Sequence, residues 1–384
     1  MKYEKRAQIH RAISPLLEFT SKQTFDALLV ATRSTTNNMA TNVGRIHVLG
    51  LGNLGLLFAH SLAKISPSPP PITLLLHRRN LLQDWEASGQ QIEITTNSVP
   101  STSNTFQVED VTASSSTDTI ENLIVTTKTI RTKQAVESVK HRLGPTSTIL
   151  FCQNGMGTID EVATLFSNQQ DRPNFLAAIT KHGVYSTGPF KSVHAGLANV
   201  TIGQVSLGAS ATSKQAQYLV DRIVEAKILA ATEVAPQELL YLQLEKLAIN
   251  SIVNPLTALF RVKNGELLEH DEITGLSEVL LAETSAVLQS LPEAKDGRIK
   301  FTKQELMDKF VDSATKTAGN TSSMLQDIKA SRETEIDYIN GWIVNRGKEQ
   351  GTKVDNNEKV VGLIKQRSSL TVGEVDRHFD QGSR

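Results

Sequence analysis

The chain has 384 residues, with 40 lysines and arginines against 40 aspartates and glutamates. That balance leaves no basic footprint for nucleic acid or an anionic membrane, and the length asks for two domains rather than one core. Hydrophobic residues make up 39%, adequate once polar loops are set aside, and no apolar run approaches the roughly 20 residues that span a bilayer. The one cysteine, Cys152, excludes an internal disulfide and a cysteine-based zinc site. A reducing compartment, the cytoplasm, is therefore expected, with no metal.

Residues 1–42 stand apart. Six basic residues (Lys2, Lys5, Arg6, Arg11, Lys22, Arg33) face three acidic ones (Glu4, Glu18, Asp26), and the stretch ends in the linker-like tract STTNNMATN. A mitochondrial presequence is the alternative, weakened by Glu4 and Glu18; a short docked helix from Glu18 to Val30 is another. At Arg45 the pattern changes. RIHVLGLGNLGLLFAHSLAKI reads as strand, glycine turn and helix, with Gly50, Gly52 and Gly55 spaced as GxGxxG. The first glycine permits the tight turn, the second lets a pyrophosphate approach, and the third lets helix and strand pack closely. The intervening Leu51, Asn53 and Leu54 would offer backbone amides to the phosphates at the helix N-terminus. A strand–turn–helix context is what makes this motif informative.

A Pro-rich loop, SPSPPP, leads to a strand at Ile72–Leu76. An NAD enzyme places an acid after that strand; here stand His77, Arg78 and Arg79, and a guanidinium suits the 2′-phosphate of NADP. Gln91 to Val108 reads as an antiparallel excursion and Val111 to Thr119 as loop. A buried strand at Leu123–Thr126 ends at Thr127 and Lys128, whose charge would point into the ligand crevice. A helix from Arg131 to Leu143 closes at Gly144-Pro145. The strand Thr148–Cys152 leads into Gln153-Asn154-Gly155-Met156-Gly157, where Asn154 could serve a ligand or simply make a turn. Within that strand Cys152 reads as an inert core residue. Further strands are expected at Phe175–His182 and Val200–Gly203, with hairpin chemistry between them.

From Lys214 the periodicity turns helical: Gln215–Ala226, Gln237–Phe260, Ile273–Ser290, Lys303–Ala318, Thr321–Lys329 and Ile336–Lys348. Strands alternating with helices, then helices alone, imply an α/β dinucleotide-binding domain followed by an all-α domain, divided near Pro236 as 43–236 and 237–384. The helix Tyr241–Phe260 stands out. Lys246, Asn250 and Asn254 fall at four-residue steps on one face of an otherwise apolar helix, and Pro255 should free carbonyls around Ser251. Lys246 could snorkel to water and the asparagines could bond backbone. Three polar groups in register beside a kink instead favour one wall of a substrate site.

These motifs together resemble the ketopantoate reductase (2-dehydropantoate 2-reductase) family over most of Arg45 to Lys365. GLGNLG resembles its dinucleotide loop, QNGMGTIDE its asparagine loop and EKLAINSIVNPLTAL its lysine helix. NGEL at Asn264–Leu267 and NTSSMLQDIKASRETEIDYINGW at Asn320–Trp342 complete the match. The resemblance implies a Rossmann domain, a 6-phosphogluconate dehydrogenase-like helical C-terminal domain, and NADPH-dependent reduction of ketopantoate to pantoate by a monomer or homodimer. It also implies Lys246 as general acid with Glu335 as partner. Asn154, Asn250, Asn254 and Ser323 become substrate or cofactor contacts, Arg78 faces the 2′-phosphate, and Lys128 and Asn320 line the cleft. Residue by residue, Glu335 could be a solvated helix charge and Ser323 a helix cap. Two departures stand out: the 1–42 extension with the SPSPPP loop, and Thr180-Lys181-His182-Gly183, which adds a charge near the cleft. A related hydroxy-acid dehydrogenase and a non-catalytic NADP sensor are the alternatives.

Overall fold

The strands predicted from uninterrupted apolar runs are the ones buried on both faces. In the computed structural model, which describes residues 44–78, 80–206, 214–294 and 301–379, β1 (Ile46–Leu49), β2 (Ile72–Leu76), β6 (Asn122–Val125) and β7 (Thr148–Phe151) are buried at every position. They pair in parallel, as strands covered by helices on both sides do. The expectations for residues 1–42 lie outside the described residues. With β5 (Phe106–Asp110), β8 (Asn174–Thr180), β11 (Val200–Gln204) and β12 (Ala231–Glu233), the order is β12-β11-β8-β7-β6-β1-β2-β5. Only β8 and β11 run antiparallel. Successive strands are added to opposite sides of β1, so a crevice opens where β1 and β6 diverge at their carboxyl ends. This half is Rossmann-like.

The polar excursion is in part something else. Residues 91–103 form the antiparallel hairpin β3 (Ile92–Thr96) and β4 (Val99–Ser103), turned at Asn97 and Ser98 with positive φ. Phe106–Asp110, however, is β5, a parallel edge strand of the main sheet. The expected second hairpin, β9 (Gly183–Gly188) and β10 (Lys191–Gly196), joins β3 and β4 in a small sheet.

Helix α1 (Asn53–Ala63) follows the glycine turn. Gly50 has φ +102°, and a Cβ on Gly55 would fall 2.0 Å from the Gly50 carbonyl oxygen. The same carbonyl accepts from the Thr126 hydroxyl at the end of β6. Beyond α5 (Lys214–Glu225), which packs on the sheet, α6 (Pro236–Phe260) begins with proline at its first turn, where the missing N–H costs nothing. Helices α7 (Asp271–Ser290), α8 (Lys303–Lys316), α9 (Ser323–Lys329), α10 (Asn340–Gln350) and α11 (Asp355–Lys365) surround it in a separate apolar core. The stretch expected as one helix from Ile336 is a 3₁₀ turn, Ile336–Tyr338, followed by α10. Pro255 lies inside α6 without interrupting it.

Gly55→Ala cannot be accommodated without moving α1 from the glycine turn. We expect it to cost about 1–3 kcal/mol of stability and to abolish dinucleotide binding, read by thermal unfolding and NADPH fluorescence.

Candidate active site

Lys246 sits nearly three turns into α6, where that helix passes the end of β8. Its Nζ donates to the Thr180 carbonyl at 3.0 Å. Protein surrounds the ammonium closely, although the side chain keeps accessible surface on one flank. Burial lowers its pKa to about 8; attraction from Glu335 raises it, and repulsion from Lys181 adds to the lowering. Desolvation outweighs the carboxylate. Cys152 itself is 3% exposed and its thiol is pushed up by burial, which fits an inert core residue.

Glu335 is 8% exposed and does not pair directly with Lys246. Its Oε1 accepts from the Thr129 hydroxyl at 2.6 Å and the Thr129 amide at 3.3 Å; its Oε2 accepts from Asn154 Nδ2 at 3.5 Å. Thr129 opens α3 (Thr129–Val139) directly after Lys128. It carries no sequence signal for this role, because its partner lies 206 positions away. Gln153 likewise carries no local signal for its part; its Nε2 donates to the carbonyls of Val125 and Thr127 and so joins the ends of β7 and β6.

Asn154, Lys246 and Asn250 line one cavity of about 920 Å³ between the two halves. Its walls include Met156, Ile179, Leu244, Leu247 and Trp342. Asn254, one turn further along α6, is 7% exposed and outside that lining. Ser322, not Ser323, caps α9: its Oγ accepts from the Leu325 amide at 3.1 Å and from the Thr257 hydroxyl at 2.6 Å. Ser323 is thereby left exposed at the head of the helix, with Asn320 exposed just before it. Since Thr257 follows Asn254 by three residues, the Ser322 bond brings this segment against the asparagine end of α6.

Lys128 is already engaged. Its Nζ lies 2.7 Å from Asp327 Oδ2 on α9, and Arg332 Nε reaches the other oxygen at 2.9 Å. Arg78 is exposed beyond β2. It and Arg131 both depress the pKa of His77, after burial, so two guanidinium groups converge on that strand end. Arg131, paired with Glu333 at 3.3 Å, carries no local sequence signal for this place. Lys181 is exposed, while His182 is buried with its Nε2 3.0 Å from the Leu229 carbonyl.

The glycine loop fits a dinucleotide. Gly50 and Gly55 serve the turn itself, whereas a Cβ on Gly52 would meet nothing within 4 Å, so that glycine faces open space. No side chain caps α1, which leaves its first amides for a phosphate. Asn53 is taken: its Oδ1 accepts from Ser192 on β10 at 3.2 Å. Leu51 and Leu54 flank the loop, half-buried. The caps make one expectation concrete. Ser322→Ala should cost about 1–2 kcal/mol of stability, and Ser323→Ala less than about 0.5 kcal/mol, by denaturant unfolding of both.

Two family descriptions match the chain: ketopantoate reductase PanE/ApbA over residues 46–206 and ketopantoate reductase PanE/ApbA C terminal over residues 238–368. The chain is 31% identical to a ketoisovalerate reductase of Gibberella fujikuroi, covering 87% of this chain and 85% of that protein. It is also 31% identical to the 2-dehydropantoate 2-reductase of Shigella flexneri, covering 85% and 95%. Among solved structures, a D-mandelate dehydrogenase with NADH and anilino(oxo)acetate superposes with TM-score 0.71 at 19% identity, over 86% of this chain and 99% of that one. A PanE/ApbA family ketopantoate reductase from Ralstonia eutropha JMP134 gives 0.69 at 20%, over 86% and 99%. Glycine loop, lysine helix and both family matches converge: the chain belongs to the ketopantoate reductase family and is an oxidoreductase.

Proposed function

We propose that this enzyme reduces 2-dehydropantoate to pantoate with NADPH, using Lys246 as the proton donor. The observation that carries the reading is an enclosed ammonium on the same cavity as Asn154 and Asn250, with a pKa lowered to about 8. A bound reduced nicotinamide supplies the hydride. The chain supplies orientation and a proton. Lys246 spends one N–H on Thr180 and has others for the ketone oxygen, where it stabilises developing negative charge and then donates. Asn154 and Asn250 offer neutral amides to the same substrate. Asn254, one turn along α6, and Asn320 and Ser323, exposed beside the Ser322 bond to Thr257, are further candidate contacts in this reading. Glu335 supports the ammonium through space, and Thr129 fixes that carboxylate. Arg78, with Arg131 beside it, occupies the place where an acid would select NAD, which supports NADPH.

A second reading is reduction of a branched 2-keto acid lacking the hydroxymethyl group, favoured by the similarity to the Gibberella fujikuroi enzyme. Comparing kcat/KM for 2-dehydropantoate and ketoisovalerate with NADPH separates the two. A preference of tenfold or more, about 1.4 kcal/mol, decides the substrate.

Lys246→Ala should lower kcat by roughly 10²–10⁴, with Asn250→Ala costing less because an amide is neutral. An acid must be protonated to act. Reduction by the wild type should therefore fall as pH rises through about 8, and the residual activity of Lys246→Ala should lack that limb. Near-normal kcat in a folded Lys246→Ala enzyme would place the acid elsewhere. Arg78→Ala should weaken NADPH by about 1.5–3 kcal/mol and leave NADH nearly unchanged. Equal losses for both cofactors would show that Arg78 does not read the phosphate.

A further inference from the structure

Proline at position 255 removes the donor that the Ser251 carbonyl, four residues earlier, would receive in a regular helix. Ser251 is fully buried, so bulk water cannot replace it, and an unmet carbonyl there is costly. Asn340 fills the gap: its Nδ2 donates to the Ser251 carbonyl at 2.9 Å. Asn340 is itself fully buried, and its second N–H goes to Asn357 Oδ1 at 3.0 Å. Asn357 Nδ2 continues to Glu283 Oε2 at 2.8 Å and to the Leu280 carbonyl at 3.2 Å. The orientation is fixed by chemistry, because the Ser251 carbonyl can only accept and Asn340 must turn its amino group toward it. Its own Oδ1 is left buried without a partner among the described residues. A buried amide relay thus runs from a carboxylate on α7, through α11 and α10, to the defect in α6.

The residue at the end of that relay opens α10, directly after the 3₁₀ turn that Glu335 precedes. From the other side the turn is held by the asparagine loop. The Met156 amide donates to the Tyr338 carbonyl at 2.8 Å, and a Cβ on Gly155 would fall 2.4 Å from that same oxygen. Ile336 and Ile339 anchor it in the helical core. Because Glu335 and Lys246 are not bonded to each other, their separation depends on how this turn is docked against α6.

We infer that Asn340 is a positioning residue: by supplying the helix hydrogen bond that Pro255 removes, it sets the Glu335 carboxylate at its working distance from Lys246. This rests on the reading of Lys246 as proton donor. The mutation Pro255→Ala restores an N–H within bonding reach of the Ser251 carbonyl, which makes the inference testable by a double-mutant cycle in the full chain.

Asn340→Leu should lower kcat roughly tenfold while KM for NADPH stays within about twofold, since the glycine loop is untouched. The alkaline limb of kcat should move to lower pH, because the carboxylate's support of the ammonium weakens. In the Pro255→Ala background the same substitution should lose markedly less than in wild type. Asn357→Leu, which leaves the Ser251 donor in place, should shift the limb in the same direction by less, and it keeps the test open if Asn340→Leu does not fold. Unchanged kcat and pH profile in a folded variant, or strictly additive losses in the cycle, would overturn the inference. Titration of lysine ¹³Cε signals, with Lys246→Arg to assign the resonance, gives a readout independent of turnover. An enzyme inactive on keto acids would sink the proton-donor reading alone. An Asn340→Leu enzyme whose Lys246 titrates as in wild type would sink the positioning role.

Discussion

Taking the Lys246 ammonium out of bulk water costs free energy, and the way the fold offsets that cost shapes the site around it. A direct ion pair with Glu335 would hold the charge firmly and favour the protonated form more strongly. Instead the carboxylate spends its oxygens on Thr129 and Asn154 and acts on the lysine through space. One ammonium hydrogen goes to a backbone carbonyl. The balance leaves an ammonium whose pKa burial has lowered to about 8.

The same economy governs how the two halves meet. Each has its own apolar core: one under the helices, the others on the two faces of the sheet. A small apolar cluster, Ala177, Ile179 and Leu239, lies between them. Much of the rest of the junction is polar. Lys128 and Arg332 converge on Asp327, which is 2% exposed. Tyr338 donates its hydroxyl hydrogen to Glu161 Oε2 at 2.9 Å. A buried carboxylate with two cationic partners is costly to strip of either one, so these contacts specify the relative placement of the halves more than they add stability.

The parts that could be read from sequence are those whose signal is local. The glycine turn, the buried strands and the polar face of α6 each announce themselves within one helical or strand period. Pro255 pointed to a freed carbonyl at Ser251, and that carbonyl is served by a side chain. What serves it could not be read, because Asn340 is 89 positions away. Lys128 looked like a ligand-facing charge because Asp327 is 199 positions on. Ser322 and Ser323 are chemically identical neighbours, and only the first turn of α9 decides which one caps. Phe106 to Val108 reads as part of the antiparallel excursion because an edge strand, covered on one side only, has the mixed composition of a surface ribbon.

The bonds that complete the site, from residues 128–131 to residues 327–335, close loops of 199 to 206 residues. Synthesis runs from the N-terminus and domains fold as units. A nascent chain extended only as far as β12 therefore holds the glycine turn with neither Lys246 nor Glu335. Contacts this distant in sequence form late and carry a large closure entropy. Until α6 has emerged and docked, Ala177 and Ile179 on β8 lack Leu239, their apolar partner across the junction. The chain is thus most exposed to aggregation in the interval before its two halves meet.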